Sequence, residues 1–185
     1  NAQIKITDGT SLKVVSGGSM TITGDLASDN GILDNQGTVK LKGKLENNTS
    51  ALFSSTSSGT FIFEGSTQQE ITGNADAGFR GTTVVNNASG VALTSASTGS
   101  SQSVNGELQL NSGKLILNQF DLNVASTDPT GAGASSYIVT NSTGSLKREV
   151  PADGATAVSF PVGNASYNPV VLSGDATATT DTYGV

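Results

Sequence analysis

Gly37-Thr38-Val39-Lys40-Leu41, Gly59-Thr60-Phe61-Ile62-Phe63, Gly106-Glu107-Leu108-Gln109-Leu110 and Gly113-Lys114-Leu115-Ile116-Leu117 repeat one phrase. A glycine opens it, a polar residue follows, and apolar residues then fall at every second position. Looser copies stand at Gly18-Ser19-Met20-Thr21-Ile22-Thr23 and Gly90-Val91-Ala92-Leu93-Thr94. A period of two is that of a strand with one buried face, and a glycine before each strand suits a chain that turns sharply again and again.

The spacing of the phrases decides how the strands are arranged. Met20-Thr21-Ile22, Val39-Lys40-Leu41, Phe61-Ile62-Phe63 and Thr83-Val84-Val85 recur about twenty residues apart, the length of a solenoid coil with three short strands and three corners. Leu108-Gln109-Leu110, Leu115-Ile116-Leu117 and Leu122-Asn123-Val124 then follow at seven-residue steps, which fits three consecutive faces of one coil. The antiparallel sandwich is the structural rival, but it needs tight hairpins that this spacing does not supply. The sequence therefore predicts an all-β chain: a right-handed parallel β-helix over residues 1–144, then a β-hairpin cap or the start of a further β module over 145–185. Strands are expected at 3–7, 12–15, 20–23, 38–42, 60–63, 70–72, 82–86, 91–94, 103–105, 107–110, 114–117, 121–124 and 137–140. Ile22, Leu41, Ile62, Val85, Leu93, Leu110, Leu117 and Val124 are expected to face inward, with a one-residue slip allowed in any single phrase.

Composition supports this economy. Of 185 residues only 35% are hydrophobic and 13% charged, so the core must be filled by regular placement of few side chains. The net charge of -6 disfavours a nucleic-acid partner. The basic groups Lys40, Lys42 and Lys44, and Lys147 with Arg148, read as the solvent face of strands. Cysteine is absent, which removes disulfides and thiolate metal sites. No apolar run approaches the roughly 20 residues that span a bilayer, so no membrane insertion is expected in this segment. The opening Asn1-Ala2-Gln3-Ile4 and the closing Asp181-Thr182-Tyr183-Gly184-Val185 lead to the expectation that the residues belong to a longer protein.

Two segments depart from the repeat. A loosened corner is expected around 96–102, and 128–136 reads as a lateral loop with its own proline and glycines. Beyond Gly144, residues 145–151 and 157–162 flank an Ala152-Asp153-Gly154-Ala155 turn and read as a hairpin, with Pro151 and Pro161 marking strand exits, and 169–173 reads as a further strand. Such a hairpin would cover the last coil, whose open end otherwise exposes backbone and core.

The run Ser136-Tyr137-Ile138-Val139-Thr140-Asn141-Ser142-Thr143-Gly144-Ser145-Leu146-Lys147-Arg148-Glu149-Val150, with Phe160-Pro161-Val162-Gly163 and Tyr167-Asn168-Pro169-Val170 behind it, resembles a segment of large surface and secreted proteins of Bacteroidetes bacteria. Phe63-Glu64-Gly65-Ser66-Thr67-Gln68-Gln69-Glu70-Ile71-Thr72-Gly73, Val85-Asn86-Asn87-Ala88-Ser89-Gly90-Val91 and Leu108-Gln109-Leu110-Asn111-Ser112-Gly113-Lys114-Leu115 are similar to the same proteins. The resemblance spans residues 59–172. It implies an adhesin-type parallel β-helix module in a long multi-module chain, often exported by type IX secretion.

Histidine is absent, which removes imidazole proton shuttles, imidazole metal ligands and Ser-His-Asp chemistry. Catalysis would rest on carboxylates brought together on neighbouring coils. Asp25, Asp29 and Asp34 form one candidate group; Glu64, Glu70 and Asp76, with Arg80 nearby, form another. Asp25, Asp29, Asn30, Asp34 and Asn35 are also candidate calcium ligands, although Asp29-Asn30-Gly31 and Asp34-Asn35-Gln36-Gly37 read more simply as turns. The pairs Asn47-Asn48 and Asn86-Asn87 suit corner stacks in which amides bond along the axis. Asn48, Asn87, Asn141 and Asn164 open glycosylation-type triplets. The phenylalanines read as core or cap, with Tyr137 and Tyr167 left as candidate sugar platforms.

The expectation is a non-enzymatic structural or adhesive module, secreted or on the bacterial cell surface, with no catalytic, cofactor or metal residues assigned. Its partners would be other modules of the same chain, with surface glycans or neighbouring cell-surface proteins as candidate contacts. A polysaccharide-binding or polysaccharide-cleaving β-helix is the alternative, and a subunit polymerising through open solenoid ends a third reading.

Overall fold

A regular coil passes through three short strands, and each strand lies against its counterpart one coil further on, running in the same direction. The computed structural model describes residues 3–48, 51–94, 101–125, 127–177 and 179–185; the expected corner at 96–102 falls largely outside them. One face is an eight-stranded sheet: Gln3–Thr7, Asp25–Asp29, Leu45–Asn47, Gln69–Thr72, Val91–Leu93, Leu115–Ile116, Ile138–Val139 and Val162–Gly163. The next face begins with Ser11–Val14 and Ile32–Asn35 and ends with Gln102–Val104, Leu122–Val124 and Leu146–Val150. Single bridging pairs, Leu33 with Phe53 and Phe79 with Val104, and a Leu52 N–H to Ala77 C=O bond of 3.0 Å carry that face across the gap. The third face is Ser19–Ile22, Thr38–Leu41, Thr60–Phe63, Thr82–Asn86 and Glu107–Ser112. All pairings among these strands are parallel, so the chain is a parallel β-solenoid.

The coil length varies: Leu26 lies opposite Leu45, 19 residues on, and Leu45 opposite Ile71, 26 on. The seven-residue steps at 108, 115 and 122 place those leucines on the three faces in turn, as the sequence predicts. Seven of the eight expected inward residues are buried, and Ile62 is the exception, with Phe61 and Phe63 pointing inward instead. Those two rings meet Phe53 and Phe79 at centroid distances of 5.2 to 6.0 Å and fill the interior where the second face lacks a regular strand. Within residues 1–144 three strands are absent from the sequence reading: Asp25–Asp29, Ile32–Asn35 and Leu45–Asn47. Their polar ends read as turns, yet the inward Leu26, Leu33 and Leu45 are fully buried.

The glycine of the repeated phrase has a steric cause. Gly18, Gly37, Gly59, Gly81 and Gly106 occupy one corner, one per coil. The carbonyls of the first four accept a bond from the coil above: Thr38 N–H to Gly18 at 2.9 Å, Thr60 N–H to Gly37 at 2.8 Å, Thr82 N–H to Gly59 at 3.0 Å, Glu107 N–H to Gly81 at 2.8 Å. A Cβ at Gly59 would sit 2.2 Å from the Gly37 oxygen, and one at Gly106 1.9 Å from the Gly81 oxygen. Backbone on backbone cannot give way there, so the column must stay bare.

The C-terminal end closes by reversal of the chain, with partners that differ from the expected hairpin. Leu146–Val150 and Ala157–Phe160 do not pair with each other. Leu146–Val150 pairs antiparallel with Asp181–Gly184, and Ala157–Phe160 antiparallel with Val170–Ser173. On the long sheet, Gly163 bridges Tyr167 in the same reversed sense. Parallel pairing also continues past Gly144, since Leu122 lies opposite Leu146 and Ile138 opposite Val162. The segment read as a lateral loop joins the stack as well: Thr130 bridges Gln109, its N–H donating to the Leu108 carbonyl at 2.9 Å and its carbonyl accepting the Leu110 N–H at 2.8 Å.

Gly59→Ala is expected to destabilise the fold by about 1–3 kcal/mol, as an added methylene does in a site that cannot yield. Gly133, with open space around its Cβ position and no positive φ, is expected to gain about 0.4–1 kcal/mol on change to alanine. Denaturant unfolding of the two variants beside the parent checks both signs.

Candidate functional site

The carboxylates that the sequence offers as an active site are spread over the solenoid and tied across coils. Lys5 Nζ is 2.5 Å from Asp29, Lys13 Nζ 2.9 Å from Asp34 one coil on, Lys40 Nζ 3.3 Å from Glu64 and Lys147 Nζ 2.7 Å from Asp121. Asp25 accepts the Lys44 backbone N–H at 2.9 Å, and Asp76 accepts those of Gly78 and Ser103, each at 2.8 Å. Asp25 and Glu70, from the two different groups, do share a hollow of about 250 Å³ with Lys42 and Lys44. Asp34 and Asn35 lie in a strand rather than a turn: Asp34 points outward to Lys13, while Asn35 is buried. No cluster of three or more acidic side chains able to hold a metal ion occurs among the described residues.

The interior amides act as cross-coil ties, a role the sequence reading assigned to stacks of asparagine on asparagine. Asn35 donates from Nδ2 to the Thr60 carbonyl at 3.0 Å and accepts the Gly37 N–H. Asn47 donates to the Asp76 carbonyl at 3.0 Å, and Asn87 to the Thr67 carbonyl at 2.7 Å. Gln69 reaches back one coil to the carbonyls of Leu41 and Gly43 at 2.9 and 2.7 Å, and its oxygen accepts from Asn87. Each satisfies corner backbone that would otherwise be buried without a partner. Asn87 is thus closed to a glycan, whereas Asn141 and Asn164 are exposed. Tyr137 is fully buried, with its hydroxyl on the Asn164 carbonyl and Lys114 over its ring, so it offers no platform.

A different place gathers polar chemistry in a cavity. Between Leu122–Val124 and Ala157–Phe160 a cleft of about 620 Å³ is lined by Ala125, Thr127, Asp128, Arg148, Glu149, Pro151, Thr156, Ala157 and Val158. Arg148 sits on the inward side of its strand between Leu146 and Val150, and its side chain is 2% exposed. This overturns its reading as a solvent-face residue; only its neighbour Lys147 faces out, to Asp121. Nη1 of Arg148 donates to the Asp128 carboxylate and to the Ser159 carbonyl, the latter at 2.6 Å. Nε is buried without an acceptor. Strand alternation was the available signal: with Leu146 and Val150 inward, Arg148 is inward too.

Comparison with protein families, curated proteins and solved structures gives no match. No helix among the described residues is long and apolar enough to cross a membrane.

The ties set the pH response. The Lys5 ammonium beside Asp29, Lys13 beside Asp34 and Lys44 beside Glu46 hold these carboxyls below their ordinary values. Burial pushes Asp121 up, but Lys147 and the Ser145 N–H outweigh it. Asp153, bonded by the Thr156 hydroxyl and by the backbone of Thr156 and Ala155, is lowered to about 2. A carboxyl lowered on folding stabilises fully above its unfolded value, about 4, and loses that contribution as pH falls through the folded one. Lys5 and Lys44 are raised by Asp29 and Glu46, so their contribution holds below about 10.4 and is lost above it. The thermal midpoint should therefore be level from pH ~5 to ~9 and fall on both sides, most steeply in acid. A midpoint that rises on acidification to pH ~3 contradicts these assignments.

Proposed function

We propose that this chain is a non-enzymatic structural or adhesive element of an exported bacterial cell-surface protein, a stiff solenoid that displays, spaces or contacts. The observation that carries the reading is the use made of its acidic groups. Lysine ties and backbone N–H groups from a neighbouring coil engage Asp25, Asp29, Asp34, Glu64, Asp76 and Asp121, which suits carboxylates that hold coils together. A retaining or inverting glycosidase needs two carboxyls facing each other across a substrate, about 5–10 Å apart. The parallel stack supports the mechanical part of the role, because each coil is held by its neighbours and length adds stiffness. The resemblance to Bacteroidetes surface proteins supports export, with type IX secretion as the route and other modules of the chain as its immediate neighbours.

Antibody against residues 1–185 should label intact cells of the source organism, and protease added outside should remove the signal. Label that emerges only after permeabilisation overturns surface display. Incubation with neutral and acidic polysaccharides should release no new reducing ends; turnover would favour the polysaccharide-cleaving alternative.

A further inference from the structure

We propose that the cleft beside Arg148 binds a neutral, hydroxyl-rich sugar unit of a glycan. The inference deepens the display role by giving it a contact, and rests on that role for its setting. The cleft falls where the third face is interrupted: Thr130 bridges Gln109 below, while Ala157–Phe160 above pairs with Val170–Ser173. A seam is left between two coils that are closed elsewhere. At about 620 Å³ it lies within the roughly 300–1,000 Å³ of small-molecule sites.

Its chemistry selects among ligand classes. The Arg148 charge is already met by Asp128, so an anion would have to displace that carboxylate and then face Glu149. A cation would meet the guanidinium at the floor, with the Asp128 charge already offset by Arg148 and the exposed Glu149 left as the other anion, and an exposed charge pair holds a ligand weakly. A hydroxyl both donates and accepts, and the walls ask for both. Asp128, half-exposed, retains acceptor capacity, Thr127 and Thr156 add hydroxyls, and the Thr156 hydroxyl already donates to Asp153, which leaves its lone pairs free. The guanidinium carries five N–H donors, and its protein bonds all leave Nη1. Ala125, Pro151, Ala157 and Val158 supply an apolar wall for the C–H face of a pyranose.

Ligand-observed NMR on the purified chain tests this with glucose, galactose, mannose, xylose and their short oligomers, against glucuronate, glucosamine and inorganic phosphate. At least one neutral sugar should bind saturably in the millimolar range, and in amide spectra of the isotope-labelled chain the same sugar should shift Ala125, Thr127, Asp128, Arg148, Glu149, Thr156, Ala157 and Val158. Arg148→Lys, which keeps the charge and loses the planar donors, should weaken binding at least about tenfold. Ala157→Ile, at an exposed strand position, should do the same by filling the cleft, and it decides alone if Arg148→Lys unfolds. No saturable binding of any neutral sugar at about 20 mM, well above the millimolar range expected, overturns the proposal. So does unchanged affinity in the folded variants, or a preference for glucuronate, glucosamine or phosphate. Binding without surface label on cells removes the display role and leaves the site; label without binding does the reverse.

Discussion

Everything in this molecule depends on the hydrogen bond that runs along the solenoid axis from one coil to the next. At the bare corner the geometry is most exacting, because the carbonyl of one glycine projects into the space where the next glycine would carry a side chain. The separation there is set by the N–H to C=O bond, about 2.9 Å, and a methyl group cannot share it. At Gly37, Gly59 and Gly106 the repeated phrase is therefore the imprint of a contact between coils, whereas Gly90 and Gly113 also adopt a positive φ that favours glycine. Gly37, Gly59 and Gly106 stand in the column without a positive φ, so close approach alone accounts for them.

That constraint explains how so dilute a composition folds. With coils held at ladder spacing, each contributes only a few inward residues per face, such as Val39 and Leu41 against Phe61 and Phe63 in matched register. The four-phenylalanine cluster lies where a regular strand is missing, so side-chain volume takes over where backbone pairing lapses. Buried amides then serve the corners. Asn35, Asn47, Asn87 and Gln69 spend their hydrogen bonds on neighbouring coils, which stabilises the stack and fixes which coil lies on which.

What could be read from the sequence follows the same division. Strands with two inward residues and a glycine before them, as at Thr60–Phe63 and Thr82–Asn86, are legible in their bounds because period and punctuation agree. Strands such as Ile32–Asn35 are not, since Asp34 and Asn35 carry turn chemistry that only the neighbouring coil converts into a ladder. The phrase Phe61-Ile62-Phe63 offers two inward registers, and the larger rings take the interior. The hairpin failed for a nonlocal reason: two adjacent strands with a turn between them each find a better partner in the returning tail. The Arg148 cleft was legible only in part, because charge argued for the surface while alternation argued for the core.

Arg148 shows what ending a solenoid involves. Elsewhere an inward position carries an aliphatic or aromatic side chain that packs in the core, or a polar one such as Asn35, Asn47 or Gln69 that bonds to a neighbouring coil, but at the last complete coil the third face is left open beside Ala157–Phe160. A leucine there would face a seam rather than a neighbour. An arginine packs its methylene stem between Leu146 and Val150 and carries its planar head across the seam, tying Asp128 of one coil to the Ser159 carbonyl of the next. One side chain thereby continues the core, replaces a missing pair of strand bonds and brings polar chemistry into a sheltered hollow. The same step that closes the rod thus makes the end of the solenoid chemically unlike its sides, where lysine and carboxylate cancel each other in open solvent. A contact that needs both an apolar wall and directed hydrogen bonds finds the two together in the Arg148 cleft, so recognition and closure of the fold rest on the same residue.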